Sequence, residues 1–253
     1  MGDEAVRVLQ LVGGKANAMD GALFDTIELL IDELERGPER AAVLTGYDKF
    51  FSAGLALPAL IDLDRAAMRA FIERFGRAMM RVFACEKPIV AAVNGHAIAG
   101  GCVLALMCDW RICVDGGADP DAKGIPKIGL NETQLGIGLP AVVIEPLRAQ
   151  VPPASLVPVA IQGRLFSPRE AREIGLVHEL VPADELAARA EAKARELAAA
   201  PAMGVAQVKR ALRAPILAAI ERTAAIETES WLDSWFSDGA QEQLRAAVAG
   251  LRR

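Results

Sequence analysis

The spacing of apolar residues changes several times along the first hundred residues of the chain. Residues 5–12 are rich in Val and Leu and end at a Gly-Gly pair, which predicts a strand and a turn. Between residues 27 and 34, apolar residues recur at i, i+3, i+4 and i+7, the period of an amphipathic helix. Residues 41–45 and 89–93 are apolar without alternation, as in strands covered on both faces, and 68–82 has helical spacing. This succession indicates an α/β fold.

The middle of the chain adds shorter elements to this pattern. A helical run over 102–107 is followed by the apolar stretch 110–114 and by a polar segment, 115–126, that is expected to form a surface loop. The segment Ser167-Pro168-Arg169-Glu170 has an N-cap residue, a proline at the first helical position and a glutamate at the third. It predicts the start of a helix that ends near Gly175.

The last part of the chain is Ala-rich and helical from about residue 184, with predicted interruptions at Pro201 and Pro215. Because it carries no strand signal, we divide the chain into residues 1–195, with the active site, and a helical part, 196–253. An apolar group near the end must be covered, either by its own domain or by another subunit, and the sequence leaves both open. Its members are Trp231, Leu232, Trp235 and Phe236.

Composition restricts the class of protein. The chain has 253 residues, 53% of them hydrophobic, with a net charge of −5, which disfavours nucleic acid as a partner. Four cysteines without a C-x-x-C pair and only two histidines give no metal site, and predict buried thiols in a reducing compartment. Residues 1–4 include acids where a signal peptide carries positive charge, and no apolar stretch is long enough for a membrane span. We therefore expect a cytoplasmic protein without a membrane partner.

The glycine-rich segment 94–102 follows a predicted buried strand and begins a helix, so its unpaired amides could stabilise a developing anion. It is not a nucleotide loop, because Gly101-Cys102 stands where Lys and Ser or Thr are required. A serine hydrolase is also disfavoured, since Phe50 occupies the first glycine position of a nucleophile elbow around Ser52. His96 and His178 are interpreted as structural histidines.

One carboxylate lies in an apolar, glycine-rich surrounding. Glu132 is the only acid between Asp121 and Glu145. It is either an acid at a helix N-terminus or a base whose pKa is raised by desolvation, and the local pattern favours neither.

Three motifs occur in a fixed order along the chain: Phe51-Ser52-Ala53-Gly54-Leu55, the segment from Asn94 to Cys102 with Leu104 to Asp109, and Ile128 to Ile137. With these motifs the chain resembles the crotonase, or enoyl-CoA hydratase/isomerase, superfamily. The resemblance extends over nearly the whole chain, and the third motif is most similar to the 3,2-trans-enoyl-CoA isomerases.

The resemblance implies a spiral of ββα repeats, followed by C-terminal helices that build a homotrimer or a dimer of trimers. It places an oxyanion hole at the backbone N–H groups of Leu55 and Gly100, with Glu132 as the catalytic acid-base group. An acyl-CoA thioester is the implied substrate, and CoA enters only as part of it, so no separate cofactor is expected. The implied substrate-binding residues are Lys15, Ala16, Asn17 and Ala18, against the CoA adenine, together with Ala53, Gly54 and Val103.

Two departures from the family pattern bear on the reaction. Hydratases of the family hold water between two glutamates, and the first of these positions is Val103 here. A single base suffices to move a proton from C2 to C4 of a 3-enoyl thioester, so the sequence favours an isomerase over a hydratase. Ala56 stands where the family commonly has Asp, which predicts altered ordering of the Leu55 loop.

Other readings use the same scaffold. Hydration, hydrolysis and decarboxylation all pass through an enolate in such a hole, and the acyl group could be carried by a protein instead of CoA. A non-catalytic acyl-CoA binder is a further alternative, against which the retention of Glu132 argues.

Overall fold

The computed structural model describes residues 5–119 and 123–251. Residues 1–4, and with them the expectation about the N-terminal charges, lie outside the described residues, as do 120–122 of the predicted surface loop. The strands of the described part are β1 (Val6–Gln10), β2 (Ala41–Thr45), β3 (Phe50–Ser52), β4 (Ile89–Val93), β5 (His96–Ile98), β6 (Trp110–Val114), β7 (Ile128–Gly129), β8 (Leu165–Phe166) and β9 (Glu179–Val181).

Helices make up most of the remaining described chain. They are α1 (Gly21–Arg36), α2 (Leu57–Leu60), α3 (Arg65–Ala84), α4 (Gly100–Met107), α5 (Ala141–Gln150), α6 (Pro168–Glu173), α7 (Leu186–Ala198), α8 (Ala202–Trp235) and α9 (Asp238–Leu251). Shorter turns of helix are Lys15–Asn17, Glu132–Leu135, Pro153–Ser155 and Val157–Ile161. α6 begins with the predicted capping box, in which Ser167 and Glu170 each accept a hydrogen bond from the other's backbone N–H.

The strands form two sheets that the chain visits alternately. The larger sheet is parallel, in the order β1-β2-β4-β6-β9, and the smaller has the order β3-β5-β7-β8, with only the β7–β8 pair antiparallel. β2 and β3, β4 and β5, and β6 and β7 each contribute one strand to each sheet before the next helix. This is the spiral of ββα repeats that the resemblance implied, and it confirms the α/β fold.

Burial explains why the sequence predicted the larger sheet well. All five residues of β4 are buried, and the predicted bounds 41–45 and 89–93 agree with β2 and β4. α4 is buried along its whole length, so it is apolar on every face. The short strands β5, β7 and β8 were not predicted, and neither was the strand β3 at Phe50–Ser52.

The C-terminal part differs from the prediction at one proline. α8 is not interrupted at Pro215 and extends over 34 residues, from Ala202 to Trp235. The turn before the proline is held against the core by side-chain contacts, which keep the helix continuous. Just before the proline, Arg213 donates to Asp109 (2.7 Å), which also accepts from Lys209 (2.6 Å). α7 continues across the predicted boundary at residue 195, so the break between α7 and α8 lies at residues 199–201.

The apolar group near the end of α8 is covered by its own chain. Trp231, Leu232 and Trp235 are at most 4% exposed, and the two indole rings stack at 5.3 Å. Packing within the domain is therefore the correct reading for these three residues. None of the helices in the described ranges has both the length and the apolar character of a membrane span.

Candidate active site

Three groups that the sequence singled out follow three neighbouring strands of the smaller sheet. Leu55 comes three residues after β3, Gly100 two residues after β5, and Glu132 three residues after β7. β3 pairs with β5 and β5 with β7, both parallel, so the carboxyl ends of the three strands meet at one edge. The topology thus brings together residues that are far apart in the chain.

The Leu55 loop is held by the backbone of Met19. The Met19 N–H donates to Gly54 O (2.7 Å), and the Ala56 N–H donates to Met19 O (2.9 Å). These two hydrogen bonds pair Met19 with Leu55 as in a parallel sheet. They leave the N–H of Leu55 without a hydrogen-bond acceptor among the described residues. Main-chain atoms of Met19 thus hold the loop on both sides of Leu55, and the effect of Ala56 on its ordering stays a prediction.

Gly100 supplies the second free amide. It is the first residue of α4, and its N–H has no hydrogen-bond partner in the part of the chain that the structure describes. The positive end of the helix dipole adds to the attraction of such an amide for negative charge.

The two loops approach each other closely at their glycines. A Cβ built on Gly54, whose φ is +83°, would lie 3.1 Å from the Gly100 nitrogen and 2.8 Å from Ile98 O. A Cβ on Gly100 would lie 2.8 Å from the Met19 sulfur. A side chain at Gly54 would meet backbone atoms and adopt a left-handed φ, so this glycine is required for the close approach of its loop to the start of α4, whereas a side chain at Gly100 would displace the end of the Met19 side chain.

Glu132 is the first residue of a short 3₁₀ helix and has a desolvated carboxylate. Its Oε2 atom is buried and has no hydrogen-bond partner among the described residues. Burial raises the pKa of Glu132 to about 7, opposed only by a hydrogen bond from its own backbone N–H. A carboxylate that is unpaired and has this pKa is suited to accept a proton near neutral pH, which favours the base over the helix-cap reading.

The surroundings of Glu132 connect it to α4. Burial raises the pKa of the Cys102 thiol to about 12, and the nearby charge of Glu132 contributes to this rise. The carboxylate is therefore close to the first turn of the helix that begins at Gly100. Val103, the next residue, is fully buried and apolar, so its position brings no second carboxylate to the site.

Of the Lys15 to Ala18 loop, Lys15 and Ala16 line an open groove of about 590 Å³, and the segment from Tyr47 to Phe50 lines the rest of it. Lys15 is exposed there, and Ala16 is held by a hydrogen bond from Ala53 N–H (3.0 Å). Asn17 is different, because it is fully buried and its side chain donates to Leu11 O and Phe51 O. Its side chain shapes the loop and is not available to a ligand.

The remaining polar candidates have structural roles. His178 Nδ1 accepts from Arg111 N–H (3.0 Å), and burial lowers the pKa of this histidine to about 4. His96 Nδ1 accepts from Lys127 N–H (3.0 Å), and burial lowers its pKa as well. The buried Ser52 hydroxyl donates to Asn17 O (2.7 Å). No group of three metal-ligating side chains occurs in residues 5–119 and 123–251.

Sequence reasoning singled out Leu55, Gly100 and Glu132 but missed two features of their surroundings. Met19, which holds the Leu55 loop, carries no chemical signal, because it acts through its backbone. The short strands that align the three loops have too few residues for a recognisable period. As a whole, one edge of the smaller sheet carries two backbone N–H groups without acceptors among the described residues and one buried carboxylate, groups that can stabilise an oxyanion and accept a proton.

Comparison with known proteins agrees with this geometry. Residues 2–246 match the family model described as enoyl-CoA hydratase/isomerase. A probable enoyl-CoA hydratase of Mycobacterium bovis is 28% identical over 97% of this chain and 92% of that protein. The mitochondrial enoyl-CoA delta isomerase 1 of Homo sapiens is 29% identical over 72% of this chain and 58% of that protein.

Among solved structures, the human mitochondrial delta3-delta2-enoyl-CoA isomerase superposes with a TM-score of 0.89. The match has 25% identity and covers 98% of this chain and 95% of that chain. Because the family model extends over nearly the whole sequence, this chain belongs to the enoyl-CoA hydratase/isomerase family.

Proposed function

We propose that this protein is an enoyl-CoA isomerase that converts a 3-enoyl thioester to the 2-trans-enoyl thioester. The thioester oxygen is held by the N–H groups of Leu55 and Gly100. Glu132 removes a proton from C2, the resulting enolate is stabilised by the two amides, and Glu132 returns the proton to C4. Atoms balance without water or a cofactor, because the product is an isomer of the substrate.

The observation that carries this proposal is the single carboxylate. Among the described residues, no charged neighbour shifts the pKa of Glu132, which is raised by burial and lowered by its own backbone N–H. Val103, where a second acid would polarise water for hydration, is fully buried and apolar. One base next to two donors supports proton transfer between carbons more than addition of water.

The groove beside Lys15 supports a CoA thioester as substrate. Lys15 and Lys49 are exposed at this groove with one acid, Asp48, and the two lysines are cations suited to phosphate groups. An acyl group on a carrier protein would reach the same two backbone N–H groups. A parallel assay with a carrier-bound thioester distinguishes this substrate from a CoA thioester.

The test is a panel of 2-enoyl- and 3-enoyl-CoA thioesters, in which formation of the conjugated thioester and addition of water are measured separately. We expect conjugation of 3-enoyl substrates and little hydration of 2-enoyl substrates. Glu132→Gln should lower kcat by about 10²–10⁴-fold and leave CoA-thioester affinity nearly unchanged. Substantial hydration by the unmodified protein, or full isomerase activity in Glu132→Gln, would refute the assignment.

A further inference from the structure

Ala99, the residue between β5 and α4, has an unusual backbone conformation. Its φ is 51° and its ψ is −122°. Residues with a Cβ avoid this region and glycine does not. Ala16 also has a positive φ, but its ψ of 26° places it in the left-handed helical region that turns commonly use. A strained conformation persists only where its surroundings impose it, and such residues concentrate at functional sites.

Hydrogen bonds on both sides hold Ala99 in this conformation. Its N–H donates to Gly129 O (2.8 Å), at the end of β7, and its carbonyl oxygen accepts from Val103 N–H (3.0 Å), in the first turn of α4. Gly129 lies three residues before Glu132, so the base and the Gly100 amide are connected through the backbone of Ala99.

The methyl group of Ala99 lies between the two loops that carry the amide donors. A Cβ built on Gly54 would be 2.9 Å from the Ala99 Cβ. The methyl group therefore lies against the backbone of Gly54, directly before Leu55, while Ala99 itself directly precedes Gly100. A glycine at position 99 would adopt the same backbone angles without strain, but it would leave this space open.

We propose that the Ala99 methyl group is a spacer that sets the distance and direction of the Leu55 and Gly100 N–H groups. Ala99 is thus a positioning residue that contacts no reacting atom. The inference rests on the proposed function, in which these two amides hold the thioester oxygen. Strain at Ala99 is tolerated because it fixes both amides before the substrate binds, and preorganised donors are what stabilises an enolate.

The first test compares Ala99→Gly with Ala97→Gly, a matched variant in β5. Ala99→Gly removes both the strain and the spacer, so the melting temperature should rise by about 2–4 °C while kcat falls by about 10–100-fold with KM within twofold. Ala97 is fully buried and its φ is not positive. Loss of the Ala97 methyl group should lower the melting temperature and leave kcat within twofold. Unchanged kcat in Ala99→Gly, or an equal fall in both variants, would overturn the proposal.

The second test does not depend on the reaction. Cinnamoyl-CoA has a conjugated thioester whose absorption moves to longer wavelength when hydrogen bonds polarise its carbonyl group. The unmodified protein and Ala97→Gly should shift this band on binding, and Ala99→Gly should shift it less at the same Kd. A protein that shifts the band but does not isomerise 3-enoyl-CoA would refute the proposed reaction and leave the spacer standing. A full shift in Ala99→Gly, or none in the unmodified protein, would overturn the spacer.

Discussion

The proposed chemistry depends on the desolvation of one carboxylate. Burial raises the pKa of Glu132 to about 7, and no charged group of the described residues contributes to this shift. The sequence identified this residue as the only acid in an apolar stretch of more than twenty positions. It could not decide between a cap and a base, because that depends on how the surrounding segments cover the carboxylate.

The pH dependence of catalysis should report this pKa. Since only the ionised form of Glu132 accepts a proton, kcat/KM for a 3-enoyl-CoA should rise with pH, with its midpoint near pH 7 and a plateau about one unit higher. A profile measured from pH 5 to 9 with a substrate that does not titrate in this range checks the prediction. A midpoint near 4.5, the ordinary value for a glutamate, would show that the carboxylate is hydrated.

The same pKa predicts how stability depends on pH. The folded pKa of about 7 is higher than the ordinary value of 4.5, so the folded state binds the proton more tightly and loses stability as pH rises between these values. Glu132→Gln removes this penalty. Relative to the unmodified protein, the variant should gain about 1–3 kcal/mol in free energy of unfolding between pH 4 and pH 8. Urea titrations of both proteins at pH 4 and pH 8 measure the gain. If the variant and the unmodified protein differed in free energy of unfolding by the same amount at both pH values, the prediction would be contradicted.

Among the elements, long buried strands and amphipathic helices could be predicted, and short strands could not. β2, β4, α1 and α3 have enough residues to establish a period or an unbroken apolar run. β7 has two residues, so its place beside β5 is set by the packing of the spiral. The candidate site depends on these short strands, which explains why the donors were identified through family motifs and not through periodicity.

The ion pairs that join α8 to the core should contribute strongly to stability. Asp109 accepts from Ile89 N–H (2.7 Å) and pairs with Lys209 and Arg213, whose side chains are at most 10% exposed. Asp109→Asn leaves both cations without a counter-charge and should lower the free energy of unfolding by about 3–5 kcal/mol.

Asp62→Asn is the matched control for this measurement. Asp62 pairs with Arg245 at 3.2 Å, but its side chain is 80% exposed. Loss of this surface pair should cost less than about 1 kcal/mol. Similar losses in the two variants, measured by denaturant titration, would show that the pairs around Asp109 are hydrated.

At the scale of the whole molecule, the C-terminal helices belong to the site as well as to the surface. A Cβ built on Gly136 would lie 3.1 Å from Ala240 Cα, so α9 packs on the loop that follows Glu132. Ser234, near the end of α8, accepts a hydrogen bond from Gly138 N–H (2.9 Å). The sequence predicted these helices and left open whether their apolar end packs on its own domain or on another subunit. It did not connect them with the loop after Glu132, because these contacts join distant parts of the chain.

Assembly remains a prediction from the family resemblance. α8 exposes apolar side chains that a partner subunit could cover, among them Leu212 (71% exposed) and Ile226 (74% exposed). Light scattering should give a mass of about 80 kDa or about 160 kDa, three or six times the 26.8 kDa of one chain. Leu212→Glu should lower this mass, since a charge would be placed in an apolar contact. A mass of one chain for the unmodified protein at micromolar concentration would rule out the trimer.

The placement of Leu55, Gly100 and Glu132 on three successive turns of the spiral has a kinetic consequence. Helices form within microseconds, whereas parallel strands from distant segments pair slowly because long loops must close first. On dilution from urea, the far-ultraviolet circular dichroism signal should therefore recover before enzymatic activity does, and equal rates would contradict this. A newly made chain is inert toward acyl thioesters until its third turn has docked, whatever its helix content.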